Sequence, residues 1–157
     1  MPFLVRRIKY PSQQQAEFWV LRRNDHQTVS EIAKSKKISD AAVSQTLKKA
    51  TNRIRALLES TARTNKICLE IIAPELGYGR GKSRIFKVKA YITYSPFNGV
   101  NVWYDHDSDC GTCEEQDDCQ SLIVREYQER KIPVPNENLP PAELSECLFQ
   151  RLEALLE

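Results

Sequence analysis

The fold of the N-terminal half is decided by residues 28–59, TVSEIAKSKKISDAAVSQTLKKATNRIRALLE. Thr28 and Glu31 have the T-x-x-E spacing of a capping box, in which each side chain binds a free amide at a helix start. Residues 37–39 predict a tight turn, and Ser39 is a favourable N-cap for the helix that follows. That helix carries apolar residues spaced by three or four, the period of one buried face. These apolar positions, which run to about residue 59, are Val43, Leu47, Ala50, Ile54, Leu57 and Leu58.

A further helix precedes this stretch. Ser12 begins the segment SQQQAEFWVLRRN, and within it Ala16, Trp19 and Arg23 recur at helical spacing. The three predicted helices include a short second one, joined to a longer third one by a three-residue turn. This order predicts a helix-turn-helix unit.

The same residues resemble the helix-turn-helix of sigma-factor region 4, of LuxR-type regulators and of the archaeal Tfx-like regulators. The shared elements are Ile32-Ala33, Ile38-Ser39 and the pattern V-S-x-x-L-x-x-A over residues 43–50. The resemblance covers about residues 12–60 and implies a DNA-binding domain. The sequence departs from the family at Lys37, where the turn usually has a glycine. A left-handed backbone conformation at this position is more costly for a residue other than glycine.

Candidate DNA contacts follow from the face opposite the apolar stripe. In a helix that lies in the major groove, N-terminal side chains reach base edges and later ones meet phosphates. Gln45 can make a bidentate pair with adenine, whereas the lysines and arginines of this helix suit the DNA backbone. The candidate DNA-binding residues are Ala41, Ser44, Gln45, Lys48, Lys49, Asn52, Arg53 and Arg55.

The charge distribution agrees with this interpretation. The chain has 157 residues and a formal net charge of only +2. Residues 1–66 hold 14 Lys and Arg against five Asp and Glu, whereas residues 67–157 hold nine against 16. A basic half attached to an acidic half indicates a polyanion-binding module coupled to a unit with a different role. We therefore predict a helix-turn-helix DNA-binding domain over 1–65 and an α+β metal-binding, sensor or dimerisation domain over 66–157.

The second half predicts an α+β fold. Strands are expected over 66–72, 84–94 and 100–104, with Asn98-Gly99 as the turn of a hairpin. Helices are expected at about 115–131 and 142–157, on either side of a Pro-rich link. The predicted class is thus α+β: a three-helix helix-turn-helix, then a small antiparallel sheet with a Cys-rich loop, then C-terminal helices.

The glycines at 77, 79 and 81 predict a loop between two antiparallel strands, with Arg80, Lys82 and Arg84 at its tip. Such a tip can contact phosphate as a wing does, or it can be a plain solvated loop, and the sequence favours neither. The G-x-x-x-x-G-K-[ST] spacing of a nucleotide-binding loop is missing, so a nucleotide site is not expected.

The acidic half contains a set of candidate metal ligands with the spacing H-x3-C-x2-C-x5-C: His106, Cys110, Cys113 and Cys119. Three thiolates and one imidazole suit a tetrahedral zinc site. The cysteine spacing is also similar to the last three ligands of the [4Fe-4S] cluster loop in some DNA-repair glycosylases and nucleases. A cluster would need a fourth cysteine, Cys68 or Cys147, and both are predicted to be core thiols. Zinc can be purely structural, whereas an iron–sulfur cluster would make the protein a redox or iron sensor.

The predicted function is a transcriptional regulator that binds duplex DNA and carries a bound metal. The alternatives are a helix-turn-helix used for protein contact and an RNA-binding accessory factor. No catalytic signature motif is found, so the chain is not expected to be an enzyme. No apolar run reaches the roughly 20 residues of a membrane span, and no secretory signal is visible, so a cytoplasmic protein without a membrane partner is expected.

A homodimer is expected as well, because helix-turn-helix proteins commonly read two half-sites. An apolar seam on the last helix would serve this purpose, or the same side chains would pack back on the sheet. The seam consists of Leu144, Leu148, Leu152 and Leu155.

Overall fold

The computed structural model describes residues 10–106 and 110–157. These residues form five α-helices and one four-stranded antiparallel sheet with the order β1-β2-β3-β4, which confirms the predicted α+β class. In chain order the elements are α1 (Gln13–Arg23), α2 (Val29–Lys36), α3 (Asp40–Thr64), β1 (Ile67–Ala73), β2 (Tyr78–Ser83), β3 (Lys89–Ser95), β4 (Gly99–Tyr104), a 3₁₀ turn (Cys110–Thr112), α4 (Gln116–Glu129) and α5 (Pro141–Ala154).

The helix starts of the N-terminal half form as their side chains predict. The hydroxyl of Thr28 accepts a bond from the Glu31 amide at 3.1 Å, and the Glu31 carboxylate accepts one from the Thr28 amide at 3.1 Å. The Ser39 hydroxyl caps α3 by accepting from the Ala42 amide at 3.1 Å. Lys37 adopts a left-handed conformation with φ of 57°, the backbone that glycine most often supplies at the end of a helix.

The sheet lies between two helical layers, and α3 serves both the N-terminal helices and the sheet. One face of the sheet packs on the C-terminal part of α3 and on Trp19 of α1. Because Ala62 belongs to this core, α3 continues to Thr64 rather than ending near residue 59. The other face packs on α4 and α5, through Ile123, Tyr127, Leu144, Leu148, Phe149 and Leu152.

The structure corrects the predicted strands. Residues 78–83 form β2 instead of a glycine-rich loop, so the sheet has four strands rather than three. A Cβ on Gly81 would lie 2.1 Å from the Cys68 carbonyl oxygen, which shows that glycine permits the close pairing of β1 with β2. Arg80 consequently lies within the sheet and pairs with Glu153 of α5 at 3.3 Å, away from any loop tip. The turn lies instead at 84–88, a stretch that was predicted to be strand.

Two further predictions about the C-terminal half are decided by the structure. Leu144, Leu148 and Leu152 are buried on the sheet, which is the second of the two alternatives, so they do not form a free seam, whereas Leu155 is exposed. A homodimer therefore stays a prediction without this support. The prediction that Cys68 and Cys147 are core thiols is wrong, because both are exposed. Across the described residues, every helix is too short or too polar to span a bilayer.

Candidate nucleic-acid interface

The start of α3 is held in place by α1 and α2. Phe18, Ile32 and Val43, one from each helix, are almost completely buried against one another. The hydroxyl of Ser30 in α2 also donates to the carboxylate of Asp40 in the first turn of α3, at 2.9 Å. A small apolar core and this bond give α3 a fixed direction relative to α2, as a helix inserted into a groove requires.

The predicted DNA-contacting residues occupy the outer face of α3. Seven of the eight are exposed: Ala41, Ser44, Gln45, Lys48, Lys49, Asn52 and Arg55. They lie opposite Val43, Ala50 and Ile54, none of which is accessible to solvent. The helical period therefore places the predicted set on one accessible surface, which we call the α3 outer face.

Arg53 is the exception among the eight. It is partly buried, and its guanidinium donates to the Gln15 side-chain oxygen at 3.0 Å and to the Tyr10 carbonyl at 3.4 Å. These bonds fasten the start of α1 to α3. Sequence reasoning missed this role because Gln15 is 38 residues away along the chain.

The charge around the α3 outer face is predominantly positive. Residues 28–55 contain seven Lys and Arg but only two acidic residues, Glu31 and Asp40. Both acidic side chains have local partners, because Glu31 caps α2 and Asp40 accepts from Ser30. Lys36 forms an ion pair with Glu17, and the side chains of Lys48 and Lys49 are exposed. Such a surface attracts a polyanion over a distance of about a Debye length.

A buried polar network, which sequence reasoning did not find, joins this half of the chain to the other. Arg130 and Glu126, one turn apart on α4, form an ion pair at 3.0 Å whose side chains are 2% and 0% exposed. Arg130 also donates to the carbonyls of Gly77 at 3.3 Å and Tyr94 at 3.2 Å. The Asn98 side-chain amide donates to Glu126 at 3.1 Å. The ion pair therefore binds α4 to the turns that follow β1 and β3.

Helix α1 ends on the same network. The guanidinium of Arg23 lies 3.9 Å above the Trp19 ring and donates to the Leu76 carbonyl at 3.2 Å, and Arg130 donates to the same carbonyl. Burial, and secondarily the positive charge of Arg130, lowers the pKa of Arg23 to about 9, while Glu126 and Glu129 oppose this shift. Arg23 therefore remains charged at neutral pH.

Two further contacts tie the end of α4 to the junction between α1 and α2. The Asn24 side-chain amide donates to the Glu129 carbonyl, and Lys131 pairs with Asp25. These residues are more than 100 positions apart in the sequence, so no local pattern reveals the pairing. As a consequence, the orientation of the N-terminal helices is connected directly to the C-terminal end of α4.

The predicted metal ligands lie at the opposite end of α4. Cys110 is in the 3₁₀ turn, Cys113 follows it, and Cys119 is in the first turn of α4. Burial raises the pKa of the Cys119 thiol, and the negative charges of Cys113 and Glu115 raise it further.

His106 lines a groove with Phe86 and Tyr104, whereas Cys110 lines a different cavity with residues of α4 and α5. In the described part of the chain, no three His, Cys, Asp or Glu side chains converge as metal ligands. Residues 107–109, between His106 and Cys110, are outside that part.

The chain matches no protein-family model, and no curated protein or solved structure shows significant similarity to it. The resemblance of residues 12–60 to helix-turn-helix regulators therefore rests on the short motifs alone. Any function for the chain has to be argued from its own residues and geometry.

Proposed function

We propose that this protein is a transcriptional regulator that binds duplex DNA through the α3 outer face. The observation that carries the proposal is the exposure of seven of the eight candidate residues on one face of a helix whose opposite face is buried. A helix held by two others, with polar and basic side chains outward, is the form in which an α-helix enters the major groove.

The roles of the side chains follow from their order along α3. Ala41, Ser44 and Gln45 lie in the first two turns and are proposed to face base edges, with Gln45 pairing with an adenine. Lys48, Lys49 and Arg55 are proposed to neutralise phosphates, which contribute affinity but little sequence preference. Arg53 is proposed to position α3 through the bond from its Nη1 to Gln15, and only its remaining donors are left for a phosphate.

The test compares two pairs of substitutions that remove the same charge. Lys48→Ala with Lys49→Ala should weaken binding to every duplex and reduce the salt dependence by about one unit of slope for each lysine. The control pair, Arg125→Ala with Arg151→Ala, removes exposed charges on α4 and α5 and should leave the slope unchanged. Both are measured by duplex titration at two salt concentrations.

Gln45→Ala separates base reading from general attraction to DNA. It should alter the preference among duplex sequences while changing non-specific affinity little, because Gln45 is uncharged. If Gln45→Ala and the lysine pair both bind all duplexes as the unmodified chain does, the proposal is wrong.

The proposal includes a metal centre in the acidic half, formed by Cys110, Cys113, Cys119 and His106. Zinc is the proposed metal and a [4Fe-4S] cluster the alternative. In support, the three cysteines lie on one turn and the adjoining start of α4. The zinc site would take His106 as its fourth ligand, whereas a cluster would need a fourth cysteine.

Metal analysis and a visible spectrum of anaerobically purified protein distinguish these cases. Zinc alone, lost in the Cys113→Ser variant, supports the tetrahedral site, and iron with sulfide supports the cluster. Protein that binds neither metal, and whose three thiols are alkylated at once, would contradict both. The homodimer is tested separately, by sedimentation of the full chain with and without duplex DNA.

A further inference from the structure

The turn between β2 and β3, residues 84–88, carries two large apolar side chains in solvent. Ile85 is 61% exposed and Phe86 is 59% exposed. Large apolar side chains that project together from a folded domain commonly mark a contact surface, because exposing them is unfavourable. We call this segment the β2–β3 turn.

The backbone of this turn is fixed by hydrogen bonds, and the exposure of Ile85 and Phe86 follows from that fixed backbone. Ser83 is 1% exposed, and its backbone amide donates to the Val88 carbonyl at 2.9 Å. Its carbonyl accepts from the Lys87 amide at 3.0 Å, and its hydroxyl accepts from the Phe86 amide at 3.0 Å. Lys87 adopts a left-handed conformation with φ of 60°. One buried serine thus fixes the backbone that holds Ile85 and Phe86 outward.

Positive charge surrounds these two side chains. Residues 82–89, KSRIFKVK, contain four Lys and Arg and no acidic residue. The Arg84 amide donates to the Lys66 carbonyl at 2.9 Å, which brings the end of α3 beside the turn. The exposed cations of this region are Arg63, Lys66, Lys82, Arg84, Lys87 and Lys89.

An aromatic groove lies next to the turn. Phe86, Val88 and Tyr104 line a cavity of about 400 Å³ together with Asp105 and His106. The rings of Phe86 and Tyr104 meet edge to face, with centroids 4.9 Å apart and planes inclined by 75°. Phe86 and Val88 give the groove an apolar lining from the basic turn, and the presence of Asp105 in the lining disfavours a phosphate within the groove itself.

We propose that the β2–β3 turn and this groove form a second nucleic-acid surface, which takes a single-stranded segment. One base stacks on Phe86 and enters the groove, while the adjoining phosphates lie against Arg84, Lys87 and Lys89. Aromatic side chains among cations bind unpaired bases with little sequence preference. A duplex is a poorer occupant, since its bases are already stacked within the helix. An anionic membrane is also poorer, because two apolar side chains offer little area to insert.

This surface is separate from the α3 outer face. At 1.5 Å per residue, Gln45 and the end of α3 at Thr64 are about 28 Å apart along the helix. The β2–β3 turn lies beside that far end, through the bond from Arg84 to Lys66. Binding of a single strand here does not depend on the proposed reading of duplex DNA by Gln45.

The experiment measures binding of labelled single-stranded oligonucleotides, DNA and RNA, to the full chain. Phe86→Ser should weaken this binding about tenfold, the loss expected for one stacked base. The matched control is Phe97→Ser, since Phe97 is 73% exposed on the turn at the opposite end of the sheet and should have no effect. A second test pairs Arg84→Gln and Lys89→Gln with the charge-matched control Arg125→Gln and Arg151→Gln, and only the first pair should reduce binding and its salt dependence.

Three outcomes would overturn this inference. The first is an equal loss of single-strand binding in Phe86→Ser and Phe97→Ser. The second is unchanged single-strand binding in Phe86→Ser or in the Arg84 and Lys89 pair. The third is retention of the protein by phosphatidylserine vesicles but not by single strands. The Lys48 and Lys49 substitutions keep the two proposals distinct. They should weaken duplex binding and leave single-strand binding unchanged. If the unmodified protein does not bind duplex DNA, but its binding to single strands is weakened by Phe86→Ser, only the duplex proposal is refuted.

Discussion

The two ends of the sheet are built in opposite ways. At one end, hydrogen bonds join the turns at 74–77 and 96–98 to α1 and α4, and charged side chains are buried at these contacts, although the Phe97 side chain itself is exposed. At the other end, the β2–β3 turn is uncovered, and apolar side chains project into solvent. We call these the covered end and the free end. Each reverses the usual rule that charges are exposed and apolar groups are buried.

The difference assigns a separate role to each end. A buried ion pair contributes little net stability, but its bonds tolerate few alternative arrangements. At the covered end, Arg130 and Arg23 share the Leu76 carbonyl, which fixes the position of α1 relative to α4. Among the described residues, no helix side chain is buried against the β2–β3 turn, and its Ile85 and Phe86 side chains stay exposed. Substitutions at the covered end should therefore affect folding, and those at the free end should affect binding.

The largest expected effect is that of Arg130→Met. Removing the guanidinium leaves Glu126 as an uncompensated buried charge and deprives the Gly77 and Tyr94 carbonyls of a donor. The free energy of unfolding should fall by about 3–5 kcal/mol, the usual cost of breaking a buried pair on one side. Urea unfolding followed by circular dichroism measures it.

Arg80→Met is the matched control, because Arg80 pairs with Glu153 where both side chains remain about one quarter exposed. Its cost should be about 1 kcal/mol or less, as for pairs that solvent can reach. Equal costs for Arg130→Met and Arg80→Met would show that the covered end is not held by its buried charges.

The helices were predictable from the sequence because their signals are local. The spacing of Val43, Ala50 and Ile54, and the cap at Thr28, depend on residues within one or two turns. The hairpin at Asn98-Gly99 was likewise predictable from two adjacent residues. The same helical period predicted the outward direction of seven of the eight candidate side chains of α3, and it failed only at Arg53, whose partner Gln15 lies in another helix.

Features that depend on distant segments were not predictable. The glycines of β2 make its sequence look like a loop. At Gly81 a glycine is needed because the backbone of β1 lies too close to leave room for a side chain. Glu126 and Arg130 have the spacing of a common surface pair on a helix, and only the packing of α1 and two turns makes the pair buried. The ligand spacing around Cys113 similarly predicts a metal without specifying where His106 lies.

A smaller effect is expected from two glycines at the covered end, and it tests whether that end is tightly packed. Both have positive φ, +60° at Gly77 and +70° at Gly99. Gly99→Ala should cost about 1 kcal/mol, the strain of a left-handed alanine, because no atom lies within 4 Å of the added methyl group.

Gly77→Ala adds a clash, since its Cβ would lie 2.2 Å from the Tyr94 carbonyl oxygen and 3.0 Å from Trp19 Cη2. The turn must shift, and the bond from Arg130 to the Gly77 carbonyl shifts with it. We expect Gly77→Ala to cost at least about 1–2 kcal/mol more than Gly99→Ala in thermal unfolding. If the two variants unfold at the same temperature, the turn at Gly77 yields as easily as the open position at Gly99, and the covered end is not tightly packed around Gly77.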